Sequence, residues 1–116
     1  MGTLRTPGSE ANYKKLIAEG ILSNGCALCR AESIKEFQYW KIIHNDFPYD
    51  RIAKIHHMIV PKRHIPDADL TSSEKEEFEA IKNDYLHKEY DYIIEATYKN
   101  KSIPGHAHLH LIVAKD

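Results

Sequence analysis

Along the last part of the chain, apolar and polar positions alternate with a period of two. Between Gly105 and Val113, His106, His108 and His110 interleave with Ala107, Leu109 and Leu111. A strand sends successive side chains to opposite faces, so the three histidines share one face. Ala107, Leu109, Leu111 and Val113 take the other face, which is expected to pack on a core. Upstream, Ser9 is placed to cap a short helix through Tyr13, Leu16 and Ile17 to a stop at Gly20. Residues 21–34 read as a loop, and the aromatic and β-branched run Phe37–His44 as a strand. Asn45–Asp50 is turn chemistry. A second strand follows from Ile52 to Val60, with His56, Met58 and Val60 on one face and Ile55, His57 and Ile59 on the other. Thr71 or Ser72 caps a second helix whose buried stripe is Phe78, Ile81 and Tyr85, fading near Lys88. Asp91–Tyr98 gives a third strand, and a loop at 99–105 leads to the histidine strand. The order α, β, β, α, β, β predicts an α+β domain with an antiparallel sheet and helices on one face.

At 116 residues the chain is expected to be one domain over residues 9–116, behind a flexible tail at 1–8. The formal net charge is −1, with charges spread along the sequence. That argues against a protein held mainly by nucleic-acid phosphates or by a membrane surface. No apolar run approaches the ~20 residues that span a bilayer, and no signal-peptide pattern opens the chain, so a cytoplasmic protein is expected.

Eight histidines are many for this length. Same-face neighbours on a strand sit about 6.5–7 Å apart. Histidine changes charge near neutral pH, so a row of three points to proton transfer, phosphate or metal. Only two cysteines occur, Cys26 and Cys29. A disulfide three residues apart closes too small a loop to stabilise much. A redox motif is expected between a strand and a helix, whereas this pair follows a helix end at Glu19-Gly20. Half of a zinc site fits the spacing better, with the remaining ligands drawn from elsewhere. Reduced, inert thiols are the plainer alternative.

Four segments in order carry a resemblance to a known family. His106-Ala107-His108-Leu109-His110-Leu111-Ile112 resembles the His-φ-His-φ-His-φ-φ signature of the histidine triad (HIT) superfamily, φ being apolar. His57-Met58-Ile59-Val60-Pro61-Lys62-Arg63-His64-Ile65 is similar to the upstream segment, Gly-His-x-φ-φ-x-Pro-Lys-x-His-φ. Asn45-x-x-Pro48-Tyr49 resembles the nucleotide-contact turn, and Cys26-x-x-Cys29 sits where the zinc-containing branch carries its cysteines. Together they cover roughly residues 24–113.

The resemblance implies a HIT-like α+β fold, an antiparallel sheet of about five strands with two helices. It implies cleavage of the α-phosphate linkage of nucleoside phosphoramidates or dinucleoside polyphosphates through a nucleotidyl-histidine intermediate. His108 would be the nucleophile, His110 a donor to the phosphate, and His57 the residue that orients the nucleophile. Asn45 would bind the ribose hydroxyls, with Ile43 and Phe47 flanking the base. Cys26, Cys29, His64 and His106 would hold a structural zinc. A homodimer and a purine nucleoside monophosphate conjugate as substrate belong to the same implication; nucleic acid as a partner does not.

The chain also departs from the family. The usual Asn-x-Gly-x-x-Ala-Gly-Gln-Ser/Thr-φ run before the triad is replaced by Asn100-Lys101-Ser102-Ile103-Pro104-Gly105. Ser102 would stand in for the hydroxyl and the Gly105 backbone would approach phosphate, while the Gln has no counterpart. The segment from Tyr49 to His57 is longer than usual, and His56 stands where a Gly is expected before the histidine. Two other readings follow from the same residues. One is a nucleotide-binding module with little turnover; the other is a metal-dependent hydrolase with the histidine row as ligands.

Overall fold

The computed structural model describes residues 4–18, 26–45, 48–97 and 105–115. Among them, five strands form one antiparallel sheet: β1 (Ser33–Glu36), β2 (Trp40–His44), β3 (Ala53–Pro61), β4 (Tyr92–Ile94) and β5 (Leu109–Ala114). Their order is β1-β2-β3-β5-β4. The helices are α1 (Pro7–Ala18), α2 (Ala27–Arg30) and α3 (Ser72–Ile81). After Ile81 the last helix widens into a π turn at Lys82–Leu86 and ends with His87–Glu89.

Both faces of the sheet are covered. Ile42, Ile59 and Leu111 pack with Trp40, Ile81 and Leu86 under α3, and Phe78, Tyr85 and Leu109 join them. This confirms the expected stripe on the second helix. Ile43, Met58 and Val60 form the opposite cluster with Leu28 of α2. Neighbouring residues on β2 and β3 thus serve different cores, as the pleat requires. Helices on one face only were expected; α2 covers the other.

The start of α3 follows from its sequence. Thr71 Oγ1 accepts from the Glu74 N–H at 3.2 Å, and Glu74 Oε1 accepts from the Thr71 N–H at 2.9 Å. This reciprocal box satisfies two donors that the first turn leaves open. Glu74 is buried at 2% exposure and also accepts a bidentate pair from Arg63. That pair, with the capping bonds, holds its carboxyl down at about 2.

Several boundaries differ from the sequence reading. The first helix begins at Pro7 rather than after Ser9, and Thr6 is fastened to Asp50 through its N–H at 2.8 Å and its hydroxyl at 3.0 Å. The expected strand Phe37–His44 divides into a hairpin, because Phe37 N–H bonds back to Trp40 O at 2.8 Å. The expected loop at 21–34 contains α2 and the start of β1. The last strand starts at Leu109, so His106 and His108 lie on its approach and His110 within it. None of the described helices is long and apolar enough to cross a membrane.

Candidate functional site

Register decides which histidines meet. On β5, His110 pairs with Met58 of β3, and His57 pairs with Leu111. Met58 and Leu111 belong to opposite cores, so His110 and His57 face opposite sides of the sheet. His57 lies on the α3 side, where its Nδ1 is 2.7 Å from the Tyr90 hydroxyl and its ring sits 5.0 Å from that of His44. It is therefore not brought to His108 or His110, and the orienting role assigned to it is corrected. The neighbour His56 is the one that meets the row: its Nε2 lies 2.8 Å from His110 Nδ1.

The family spacing could have found this. The upstream pattern puts its histidine five residues before the proline, and five before Pro61 is His56.

The tautomers follow from one fixed donor. Tyr49 N–H donates to His56 Nδ1 at 2.9 Å. A backbone N–H only donates, so the His56 proton sits on Nε2 and is given to His110 Nδ1. His110 then carries its own proton on Nε2, 3.2 Å from Tyr49 Oη. Burial, with help from Arg5 and His57, pushes His56 down to about 4, which keeps it neutral at pH 7. The Asn45 amide lies 3.3 Å from the same His56 Nε2. With a proton there, the amide oxygen is the atom that fits, and amide orientation is assigned from such partners.

His108 is buried, and its Nδ1 bonds the backbone oxygen of His106 at 2.9 Å. A carbonyl only accepts, so Nδ1 holds the proton and Nε2 keeps the lone pair. The rings of His108 and His110 stand edge to face at 5.5 Å. An imidazole whose Nδ1–H is held by a backbone carbonyl directs Nε2 away from that bond, which suits nucleophilic attack through Nε2.

His106 turns elsewhere. Its Nε2–H donates to Pro61 O at 2.9 Å, leaving Nδ1 3.3 Å from both Cys26 Sγ and Cys29 Sγ. His64 Nδ1 lies 3.3 Å from Cys29 Sγ. All four ligand atoms fall within 4.8 Å of one another. A tetrahedral zinc with ordinary Zn–S and Zn–N bonds separates such atoms by about 3.5 Å, so the donor set and spacing fit that ion. The Pro61 carbonyl fixes the ligand tautomer from outside, as metal-bound histidines require. Desolvation and the facing Cys26 push the Cys29 thiol up against the pull of Lys41 and Arg30, so a metal would displace a proton there.

Of the remaining expected residues, Ser102 and Phe47 lie outside the described ones. Gly105 is exposed and sits beside the cysteine cluster, where a Cβ would meet His64 Nε2 at 3.7 Å. Ile43 is buried among Leu28, Met58 and Val60. Sequence reasoning gave no role to His56 or Tyr49, although Tyr49 stood within a quoted motif.

No family model matches the sequence, and no curated protein matches it either. Solved structures do resemble the fold. A HIT family hydrolase from Legionella pneumophila Philadelphia 1 superposes with a TM-score of 0.55 at 17% identity, covering 79% of this chain and 95% of that one. A histidine triad protein from Clostridium difficile gives 0.54 at 19% identity, covering 78% and 90%. A "Hit Like Protein" gives 0.55 at 16%, covering 85% and 98%. The fold is thus the HIT-like α+β fold, as the motifs implied, with three helices among the described residues where two were expected.

Proposed function

We propose that this chain is a histidine triad nucleotide hydrolase or nucleotidyltransferase acting through a nucleotidyl-histidine on His108. The observation that carries the reading is the His108 ring, whose Nδ1 proton is tied to the His106 carbonyl at 2.9 Å. In the first step the Nε2 lone pair attacks the α-phosphorus. The P–N bond forms as the bond to the leaving group breaks, and the leaving group departs with the electron pair. The His106 carbonyl accepts from Nδ1–H throughout and stabilises the positive ring of the intermediate. Water then attacks phosphorus and gives up one proton to solvent, matching the proton the leaving group takes up on departure. The P–N bond breaks with its electron pair returning to Nε2, and His108 is neutral again with nucleoside monophosphate released. His56 holds the tautomer of His110, and Asn45 beside it suits a sugar diol.

Cys26, Cys29, His64 and His106 would hold a structural zinc that ties α2 to the approach of β5. Metal-dependent hydrolysis by the histidine row is disfavoured. His106 faces the cysteines, His108 bonds back to a carbonyl, and His110 faces His56 and Tyr49, so the three do not converge. A homodimer belongs to the same reading. The edge strand β4 leaves Tyr92 60% exposed, on the wall of a hollow of about 320 Å³ that it lines with Leu86, Tyr90 and Ile93.

The test is turnover of adenosine 5′-phosphoramidate and of a diadenosine polyphosphate, with intact-mass analysis. AMP release with a transient mass gain of one AMP is expected. His108→Ala is expected to lose both, with rates down by about 10⁴-fold or more. Full activity in His108→Ala would refute the reading.

A further inference from the structure

We propose that Tyr49 presents its phenolic O–H to the substrate's phosphoryl oxygens, and that Arg5 of the N-terminal arm holds it there as a positioning residue. The inference rests on the nucleotide reading above.

Tyr49 stands at both ends of a closed hydrogen-bonded ring. Its N–H donates to His56 Nδ1, His56 Nε2–H donates to His110 Nδ1, and His110 Nε2–H donates to Tyr49 Oη. Every ring nitrogen of the pair is used. The imidazole proton that would have reached the phosphate is taken by the phenol oxygen. One proton remains unspent, on Tyr49 Oη, and it has no acceptor among the described residues. The phenol, not the imidazole, is therefore the donor this end of the site offers outward. Burial raises Tyr49 above the usual phenol value, so the O–H stays on as a donor and transfers nothing. Phosphoryl transfer collects charge on the non-bridging oxygens, and a fixed donor aimed there is worth most in a partly buried site.

The placement is over-determined. The Tyr49 ring packs 4.6 Å from His56 and 4.8 Å from His110. On its other side, the Arg5 guanidinium lies 5.0 Å from the Tyr49 ring centre and 4.1 Å from that of Tyr13. Glu10 pairs with Arg5 at 3.4 Å. Asp50 accepts two bonds from Thr6, and Arg51 N–H donates to Leu4 O at 3.1 Å. The arm at residues 4–10 and the turn at 48–51 thus form one clamp around the phenol.

The test compares wild type, Tyr49→Phe, Arg5→Ala and the double variant in AMP binding and in turnover. Tyr49→Phe keeps the ring and removes only the hydroxyl. Its kcat is expected to fall by about 10²-fold. AMP affinity is expected to fall by about 5–10-fold. Unchanged values, or a gain as His110 Nε2–H is released to the phosphate, would overturn the proposal and mark the phenol as a plug. Arg5→Ala is expected to lower kcat in wild type but to add nothing on top of Tyr49→Phe, whereas additive losses would refute positioning through Tyr49. The two readings separate cleanly. A wild type that binds AMP through the hydroxyl yet never turns over sinks the enzyme reading alone. An active Tyr49→Phe beside a dead His108→Ala sinks this contact alone.

Discussion

At the scale of single residues, one position of register separates a histidine that meets the triad row from one on the far side of the sheet. His56 and His57 are adjacent, yet the first bonds His110 and the second bonds Tyr90 on the far face. His56→Ala removes the group that fixes the His110 tautomer, and kcat is expected to fall by about 10²–10³-fold. His57→Ala loses one hydrogen bond, about 1 kcal/mol of stability, and leaves kcat nearly unchanged. Steady-state kinetics beside urea denaturation of both variants checks this, and a reversed order would refute the assignment. Much of the site was legible because its chemistry is written in short spacings: the His-x-His-x-His row, Cys-x-x-Cys, and His64 three residues after Pro61. The choice between His56 and His57 was misread by one position, because the family segment was matched from His57 rather than counted back five residues from Pro61, and burial gave no correction: His56 is buried and His57 half-buried.

The elements that sequence reading missed are those whose reasons lie outside themselves. The long-period features were legible: the Thr71-x-x-Glu74 box and the Phe78, Ile81, Tyr85 stripe mark α3 without reference to anything else. Helix α2 has four residues, too few for a periodic signal, and Cys26 at its N-cap makes no side-chain capping bond. It stands because Leu28 is buried, because Lys41 Nζ donates to Cys29 O and Ala31 O, and because Cys29 faces His64 and His106. Strand β1 is exposed at all four residues, so no hydrophobic alternation announced it. Zinc is accordingly expected to be part of the folding energy of α2. Cys29→Ser should lose the metal by elemental analysis and lower the Tm by about 10 °C or more, near 2–3 kcal/mol for a chain this size. His108→Ala should keep one zinc per chain. Loss of metal from His108→Ala instead would revive the histidine row as a ligand set. At the other end of the fold, Glu74→Ala removes a cap and a buried pair together. It is expected to cost about 2–3 kcal/mol in urea unfolding, and a cost near zero would refute the role given to that box.

For the molecule as a whole, burying neutral histidines sets how stability responds to acid. Burial lowers His56 to about 4, and burial also lowers His57 and His106. In the unfolded chain a histidine titrates near 6.5. Between about 4 and 6.5 the unfolded state therefore binds more protons than the folded one, so stability rises with pH through that window. It is fully present above the unfolded value and lost as pH falls toward the folded one. For His56 the full span is about 3 kcal/mol. Glu74, held near 2, works lower: its contribution is present above about 4.5 and lost as pH falls toward 2. The two limbs barely overlap, so they can be assigned separately. His106 sits among the cysteines, so wild type and His56→Gln must be compared at equal metal content, leaving their difference to report His56. That difference in unfolding free energy is expected to grow by up to about 3 kcal/mol from pH 4 to pH 7 and then level off. A difference that does not change with pH would mean that His56 is not held neutral in the folded protein. The hydrogen-bonded ring through His110 to Tyr49, which starts from that neutral imidazole, would then lose its first link.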